Sequence, residues 1–212
     1  MIDPETTIFC DMDGVLADFF SGAQQLFAHV ERGDIPRAWR SSSRSILPAL
    51  DWIVENLGPD FRLTERAELD IPAVRKLVLS AIAFAPGRFF ASLPPLPDGL
   101  EILWPTLLKT GHPVELLSAP IGTRRGSGAQ TADEGKRAWA EAWLDPTPPV
   151  RICPSRKKHQ FARDGGRANV LIDDRMRTIN QWRAAGGIGI HHIPGGSVQT
   201  VAILNKMLRA RR

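Results

Sequence analysis

The apolar positions of this chain follow two rhythms. Short β-prone or apolar runs that stop at polar, Pro or His positions recur at Thr6–Cys10, Pro113–Leu117, Val150–Cys153, Asn169–Ile172 and Gly187–Ile190. Runs of this kind suit strands buried on both faces of a parallel sheet. Between them, apolar residues recur at helical spacing over Leu96–Lys109, where Pro105 predicts a kink, and over Thr131–Leu144. The same spacing covers Arg175–Ala185, stopped by Gly186-Gly187, and Val198–Leu208, which Ser197 is placed to cap. Strands alternating with helices predict an α/β fold with a doubly wound, five-stranded parallel sheet. The stretch from about Ala17 to Phe90 breaks the rhythm, with helical segments near Gly22–Val30, Ala49–Leu57 and Ala73–Phe84 but no strand pattern. It reads as a helical cap inserted after the first strand. The expected domains are a sheet domain of residues 1–17 and 91–212 and a cap of residues 18–90, with the proline-rich Leu93–Pro97 marking the return.

Composition narrows the class without choosing the function. A chain of 212 residues, 43% hydrophobic and 24% charged, is long enough for one domain with an insertion or two small ones, and excludes disulfide miniproteins and collagen-like chains. The net charge of +4 is too small to argue for a nucleic-acid-coating or membrane-surface protein. Cys10 and Cys153 are far apart, with no metal-ligand spacing around either, and read as buried thiols of a reducing compartment. Asp3 and Glu5 do not suit a signal peptide, and no window approaches the ~18 uninterrupted apolar residues of a membrane span. The expectation is a cytosolic protein without a membrane partner.

Candidate chemistry sits where the strands end. In an open α/β sheet, ligands bind outside the carboxyl ends of the strands. The first strand delivers Asp11 and Asp13 there, the second Ser118, the third Ser155 followed by Arg156, Lys157 and Lys158, and the fourth Asp173 and Asp174. Converging carboxylates stay ionised together only beside a cation, and an all-oxygen set favours a hard ion such as Mg²⁺. Such an ion attracts phosphate, to which Lys158 and Ser118 would add a point charge and a donor. Asp11 is placed to attack phosphorus, and Asp13, across the turn that Gly14 permits, to protonate the leaving oxygen and later deprotonate water.

Asp11-Met12-Asp13-Gly14-Val15-Leu16-Ala17-Asp18-Phe19, Leu117-Ser118-Ala119-Pro120, a downstream lysine and Leu171-Ile172-Asp173-Asp174-Arg175 resemble, in order, the four motifs of the haloacid dehalogenase superfamily of phosphatases. With Gly135-Lys136-Arg137-Ala138-Trp139, the chain is most similar within it to the 5'(3')-deoxyribonucleotidases. The resemblance implies a Rossmann-type core and Asp11 as the phosphorylated nucleophile. It makes Asp13 the acid/base, with its backbone carbonyl on Mg²⁺, and Asp174 the further metal ligand, supported by Asp173. It implies Ser118 and Lys158, in preference to Lys157, as phosphate contacts, with Lys136 as a second lysine. A base pocket of Phe19, Trp52, Ile53 and Phe84 from the cap is implied likewise. Ala119 departs from the pattern, standing where a second hydroxyl is usual.

The expected function is a Mg²⁺-dependent phosphatase of nucleoside monophosphates. A nucleic-acid 3'-phosphate end is the alternative substrate, and another small phosphomonoester is a further one. A non-catalytic receiver domain is disfavoured by motif order, since a receiver carries its phosphorylated Asp on a later strand. Base, sugar and phosphate position, and the oligomeric state, are not legible. Arg32, Arg37, Arg40, Arg44, Arg124 and Arg125 read as a basic rim that steers an anion. Trp104, Trp139, Trp143 and Trp182 read as core, and His191 and His192 as an ordinary strand end.

Overall fold

The computed structural model describes residues 3–31, 47–58, 60–120 and 131–209. The six arginines of the expected basic rim lie outside the described residues. The chain forms two compact units. One comprises the described parts of residues 1–18, 94–120 and 137–212, and the other those of 19–93 and 121–136.

In chain order the strands are β1 (Ile8–Cys10), β2 (Val114–Ser118), β3 (Val150–Ile152), the two-residue β4 (Arg163–Asp164) and β5 (Arg167–Ala168), β6 (Val170–Asp173) and β7 (Ile188–His191). The first unit is built on a five-stranded parallel sheet in the order β3-β2-β1-β6-β7. The five apolar runs of the sequence thus become its five strands. The antiparallel pair β4–β5 was not anticipated, because two residues a side leave no periodicity to read.

Burial on both faces explains the runs. β1 and β6 are buried at every position, and helix Met176–Ala184 packs over β6 and β7. Its Ile179 and Trp182 meet Phe9, Leu117, Ala162 and Leu171 in one cluster. The indole N–H of Trp182, which needs a partner once buried, donates to the Asn169 carbonyl at 3.1 Å. Asn169 itself ties the sheet together: its side-chain oxygen accepts from Thr7 N–H at 3.1 Å and its amide donates to the Phe161 carbonyl at 2.9 Å.

Three expectations change in detail. Around Pro105 the helix divides, a π turn over Gly99–Leu103 running into α-helix Trp104–Lys109, so the proline falls near the start of a segment where its missing N–H is tolerated. Ser197 is the first residue of helix Ser197–Arg209, not its cap; its N–H donates to the Asp98 carboxylate at 3.0 Å. Trp104, Trp139 and Trp182 are buried, but Trp143 is 46% exposed, because the buried stripe of its helix passes from Trp139 and Ala140 to Leu144 and leaves it outside. Both cysteines are free; Cys10 is buried and Cys153 half-buried.

In the second unit, helix Pro72–Ile82 buries Val74, Leu77, Val78, Ala81 and Ile82, and helices Phe19–Glu31 and Leu47–Leu57 pack against it. Short helix Pro86–Ala91 meets the start of helix Ala132–Trp143. There Gly135 is required: a Cβ would stand 2.1 Å from the Gly87 carbonyl oxygen. A reciprocal cap starts that helix, with Glu134 N–H donating to Thr131 Oγ1 at 3.2 Å and Thr131 N–H to Glu134 Oε2 at 2.6 Å. No helix among the described residues is long and apolar enough to cross a membrane.

Candidate active site

The site follows from strand order and register. The sheet grows outward from β1 in both directions, so β1 and β6 flank the position where ligands bind in open α/β sheets. Cys10 is level with Ile172 on one side and Leu116 on the other. Asp11 N–H then donates to the Ile172 carbonyl at 2.9 Å, which sets Asp11 beside Asp173. Ser118, fully buried, ends β2 at the same edge.

After Asp11 the chain turns tightly. The Met12 carbonyl accepts the N–H groups of Leu16 and Ala17, both at 2.9 Å, and Gly14 N–H donates to the Ala17 carbonyl at 2.8 Å. Gly14 takes a φ of +78°, and a Cβ there would lie 2.5 Å from Asp174 Oδ2, so glycine is required twice over. The outgoing and returning segments are clamped together here: Asp18 N–H donates to the Pro94 carbonyl at 2.8 Å and Leu96 N–H to the Leu16 carbonyl at 2.7 Å.

Three carboxylates, those of Asp11, Asp173 and Asp174, converge with oxygens within 4.8 Å of one another. Among the described residues, the ammonium of Lys158 answers them. Lys158, almost fully buried on the 3₁₀ turn Ser155–Phe161, reaches Asp11 Oδ2 at 2.9 Å and Asp173 Oδ2 at 2.8 Å, while Arg156 and Lys157 on the same turn are exposed. Asp11 Oδ1 accepts Met12 N–H at 2.8 Å, and Asp173 Oδ1 accepts Arg175 N–H at 2.9 Å. Asp173 is thereby committed to holding Lys158 and the turn, and among the described residues no lysine forms an ion pair with Asp174.

The charge balance is visible in the proton affinities. Burial, then repulsion from Asp11 and Asp173, pushes Asp174 up to about 7. Burial, then Asp11, pushes Asp173 up to about 6, against the pull of Lys158. Burial would lower Lys158, but Asp11 and Asp173 outweigh it and hold the ammonium above its usual range. Burial and the adjacent Asp11 push the Cys10 thiol up, so it stays neutral. Among the described residues, three carboxylates gather around the Lys158 ammonium. An all-oxygen set of that kind fits a hard divalent cation, which Asp11 and Asp174 could hold. Asp13, half-buried on the turn, is not among the converging carboxylates.

The remaining candidates belong to the second unit. Lys136 is fully buried, its ammonium 4.2 Å from the centroid of the Phe90 ring. Phe19 meets Phe89 edge-on at 5.6 Å. Trp52 is 41% exposed, whereas Ile53, the next residue of the same helix, is 3% exposed and packs into that unit's core; Phe84 is half-buried. One residue escaped the sequence reading. His191, read as an ordinary strand end, places Nε2 3.0 Å from the Asp174 carbonyl oxygen. The available signal was its position one past the apolar run of the strand that neighbours the Asp-Asp pair.

No protein-family profile and no curated protein matches the chain. Among solved structures, it is similar to a hydrolase from Streptococcus pneumoniae TIGR4, with 13% identity over 96% of this chain and 100% of that one and a TM-score of 0.50, a likeness of fold. A haloacid dehalogenase-like hydrolase from Burkholderia xenovorans LB400 aligns at 18% identity over 92% of this chain and 87% of that one, with a TM-score of 0.48. The HAD-hydrolase YfnB from Bacillus subtilis, solved bound to magnesium, aligns at 13% identity over 96% and 98%, with a TM-score of 0.49.

Proposed function

We propose that this chain is a haloacid-dehalogenase-type phosphatase, dependent on Mg²⁺, that hydrolyses nucleoside monophosphates through a phosphorylated Asp11. The observation that carries the reading is the convergence of Asp11, Asp173 and Asp174 around Lys158 at the β1–β6 edge. Displacing halide from carbon requires no such convergence of carboxylates, whereas a divalent cation and the phosphoryl group it attracts suit it together.

An Asp11 carboxylate oxygen bonds to phosphorus as the bond to the nucleoside oxygen breaks, and Asp13 gives that oxygen its proton. Water then attacks the same phosphorus, Asp13 takes its proton, and inorganic phosphate leaves with Asp11 restored. Lys158 holds the attacking carboxylate in place and offsets charge on the phosphoryl oxygens; Ser118 supplies a hydroxyl donor. A bound Mg²⁺ would offset the Asp11 and Asp174 charges and polarise a phosphoryl oxygen. Lys136 is the second lysine toward the substrate phosphate. Phe19, Trp52 and Phe84 are the side chains we assign to base selection, as in the deoxyribonucleotidases that the motifs resemble, with Ile53 withdrawn into the core. The working location is the cytosol, with a free nucleotide as partner.

Exposed Arg156 and Lys157, flanking Lys158, favour a second reading in which the phosphate belongs to a nucleic-acid end. One screen separates the two: phosphate release from 5'- and 3'-nucleoside monophosphates, sugar phosphates and a 3'-phosphorylated oligonucleotide, with and without Mg²⁺. Mononucleotides as the best substrates, only with Mg²⁺, support the first reading. Oligonucleotide activity that dominates and falls steeply with salt supports the second. Release from none of them refutes both.

A further inference from the structure

The Asp174 carboxylate stands among like charges, and among the described residues no lysine forms an ion pair with it, so its place at the cluster depends on its other contacts. Its side chain is bounded by the Gly14 backbone, close enough that a Cβ there would lie 2.5 Å from Oδ2. Its main chain is bounded by β7. Asp173 pairs with His191 across the β6–β7 ladder, and the His192 N–H donates to the Asp173 carbonyl at 3.0 Å. One residue further the ladder has ended, and the Asp174 carbonyl meets a side chain instead, His191 Nε2 at 3.0 Å. A carbonyl oxygen only accepts, so Nε2 carries the proton, as it does in both the corresponding neutral tautomer and the imidazolium.

We infer that His191 is the positioning residue for Asp174: its Nε2–H tethers the Asp174 carbonyl and so holds the carboxylate at the cation site. The tether extends the sheet by one side-chain hydrogen bond beyond its last backbone one. It fixes the peptide from which the Asp174 side chain departs, just before Arg175 opens the helix Met176–Ala184. Without it, repulsion from Asp11 and Asp173 is free to swing Asp174 outward.

The inference rests on the reading of this cluster as a cation site, and the experiment keeps the two apart. Mg²⁺ is titrated into wild type, Asp174→Asn, His191→Ala, His191→Asn and His191→Gln, following both the calorimetric binding isotherm and the rise in melting temperature. Gln extends an amide N–H to about the reach of Nε2; Asn does not. Wild type should bind and Asp174→Asn should not; no binding by wild type removes the cation reading itself. His191→Ala and His191→Asn should weaken Mg²⁺ by about tenfold, the lower end of what outer-shell partners contribute, while His191→Gln stays within about threefold. Activity at saturating Mg²⁺ should fall far less than affinity. Wild-type affinity in His191→Ala, or equal affinities in the Asn and Gln variants, overturns the inference while leaving the cation site intact. If His191→Ala does not fold, the Asn–Gln comparison decides.

Discussion

Replacing Gly14 by alanine separates what backbone conformation costs from what the cation site needs. At a φ of +78° any L-residue loses about 1–2 kcal/mol, a melting shift of about 2–8 °C for a chain this size. The new Cβ would also stand 2.5 Å from Asp174 Oδ2, a distance that cannot persist. The atom that must yield is the end of a side chain, not backbone, so the second effect falls on where Asp174 sits and little on stability. Gly111 is the matched control, because its φ is +75° and nothing lies within 4 Å of its missing Cβ. Gly14→Ala and Gly111→Ala should therefore lose similar stability in EDTA, measured by chemical denaturation. Only Gly14→Ala should also lose Mg²⁺ affinity, by about tenfold or more, since it displaces a ligand and not merely an outer-shell partner. An unchanged Mg²⁺ midpoint in Gly14→Ala would refute the argument that Asp174 is a ligand held in contact with this turn. A stability loss several kcal/mol beyond that of Gly111→Ala would show that backbone, not the carboxylate, had to move.

Asp11→Asn should keep its circular dichroism spectrum and lose turnover by about three orders of magnitude or more; a variant close to wild-type activity ends the nucleophile assignment. Lys158→Met leaves Asp11 and Asp173 buried without their ammonium, and should cost about 3–5 kcal/mol in metal-free denaturation. Added Mg²⁺ should recover part of that loss, and a neutral effect on stability would contradict the clamp. Asp173 and Asp174 are raised to about 6 and about 7 from an unfolded value near 3.8, so the folded state binds the extra protons. Their contribution to stability is full below about pH 4 and is lost as the pH rises through 6 and 7. The metal-free melting temperature should fall across that window and Mg²⁺ should restore it increasingly, whereas Asp174→Asn should flatten both trends.

The sheet was readable because its strands are buried on both faces, which writes them as unbroken apolar runs such as Ile8–Cys10 and Val170–Ile172. Asp11, Ser118, Lys158 and the Asp-Asp pair were readable because a parallel sheet sends every strand end to one edge, so position in the chain stands in for position in space. The choice of Lys158 over Lys157 was legible only through resemblance; in the fold the 3₁₀ turn buries Lys158 against Asp11 and Asp173 and leaves Lys157 exposed. Contacts made by single polar atoms left no periodic trace. Asp98 capping Ser197, and His191 on the Asp174 carbonyl, each join residues through one hydrogen bond that no spacing rule encodes. Trp143 shows the opposite failure, since size and helical position suggested burial, and a stripe that skips one place left it in water.

The central place of β1 also sets an order of events during synthesis. Ile8–Cys10 is made before both of its neighbours in the sheet, which begin at Val114 and Val170. On a ribosome adding about 5–20 residues per second, the first strand therefore waits many seconds for its second edge to be covered. Until then one edge of this apolar strand stays bare, and its Asp11 lacks Asp173 beside it. The carboxylate cluster is complete only late, when β6 joins β1. Chains truncated before Val170 should be inactive and prone to aggregate, however well the intervening helices have formed.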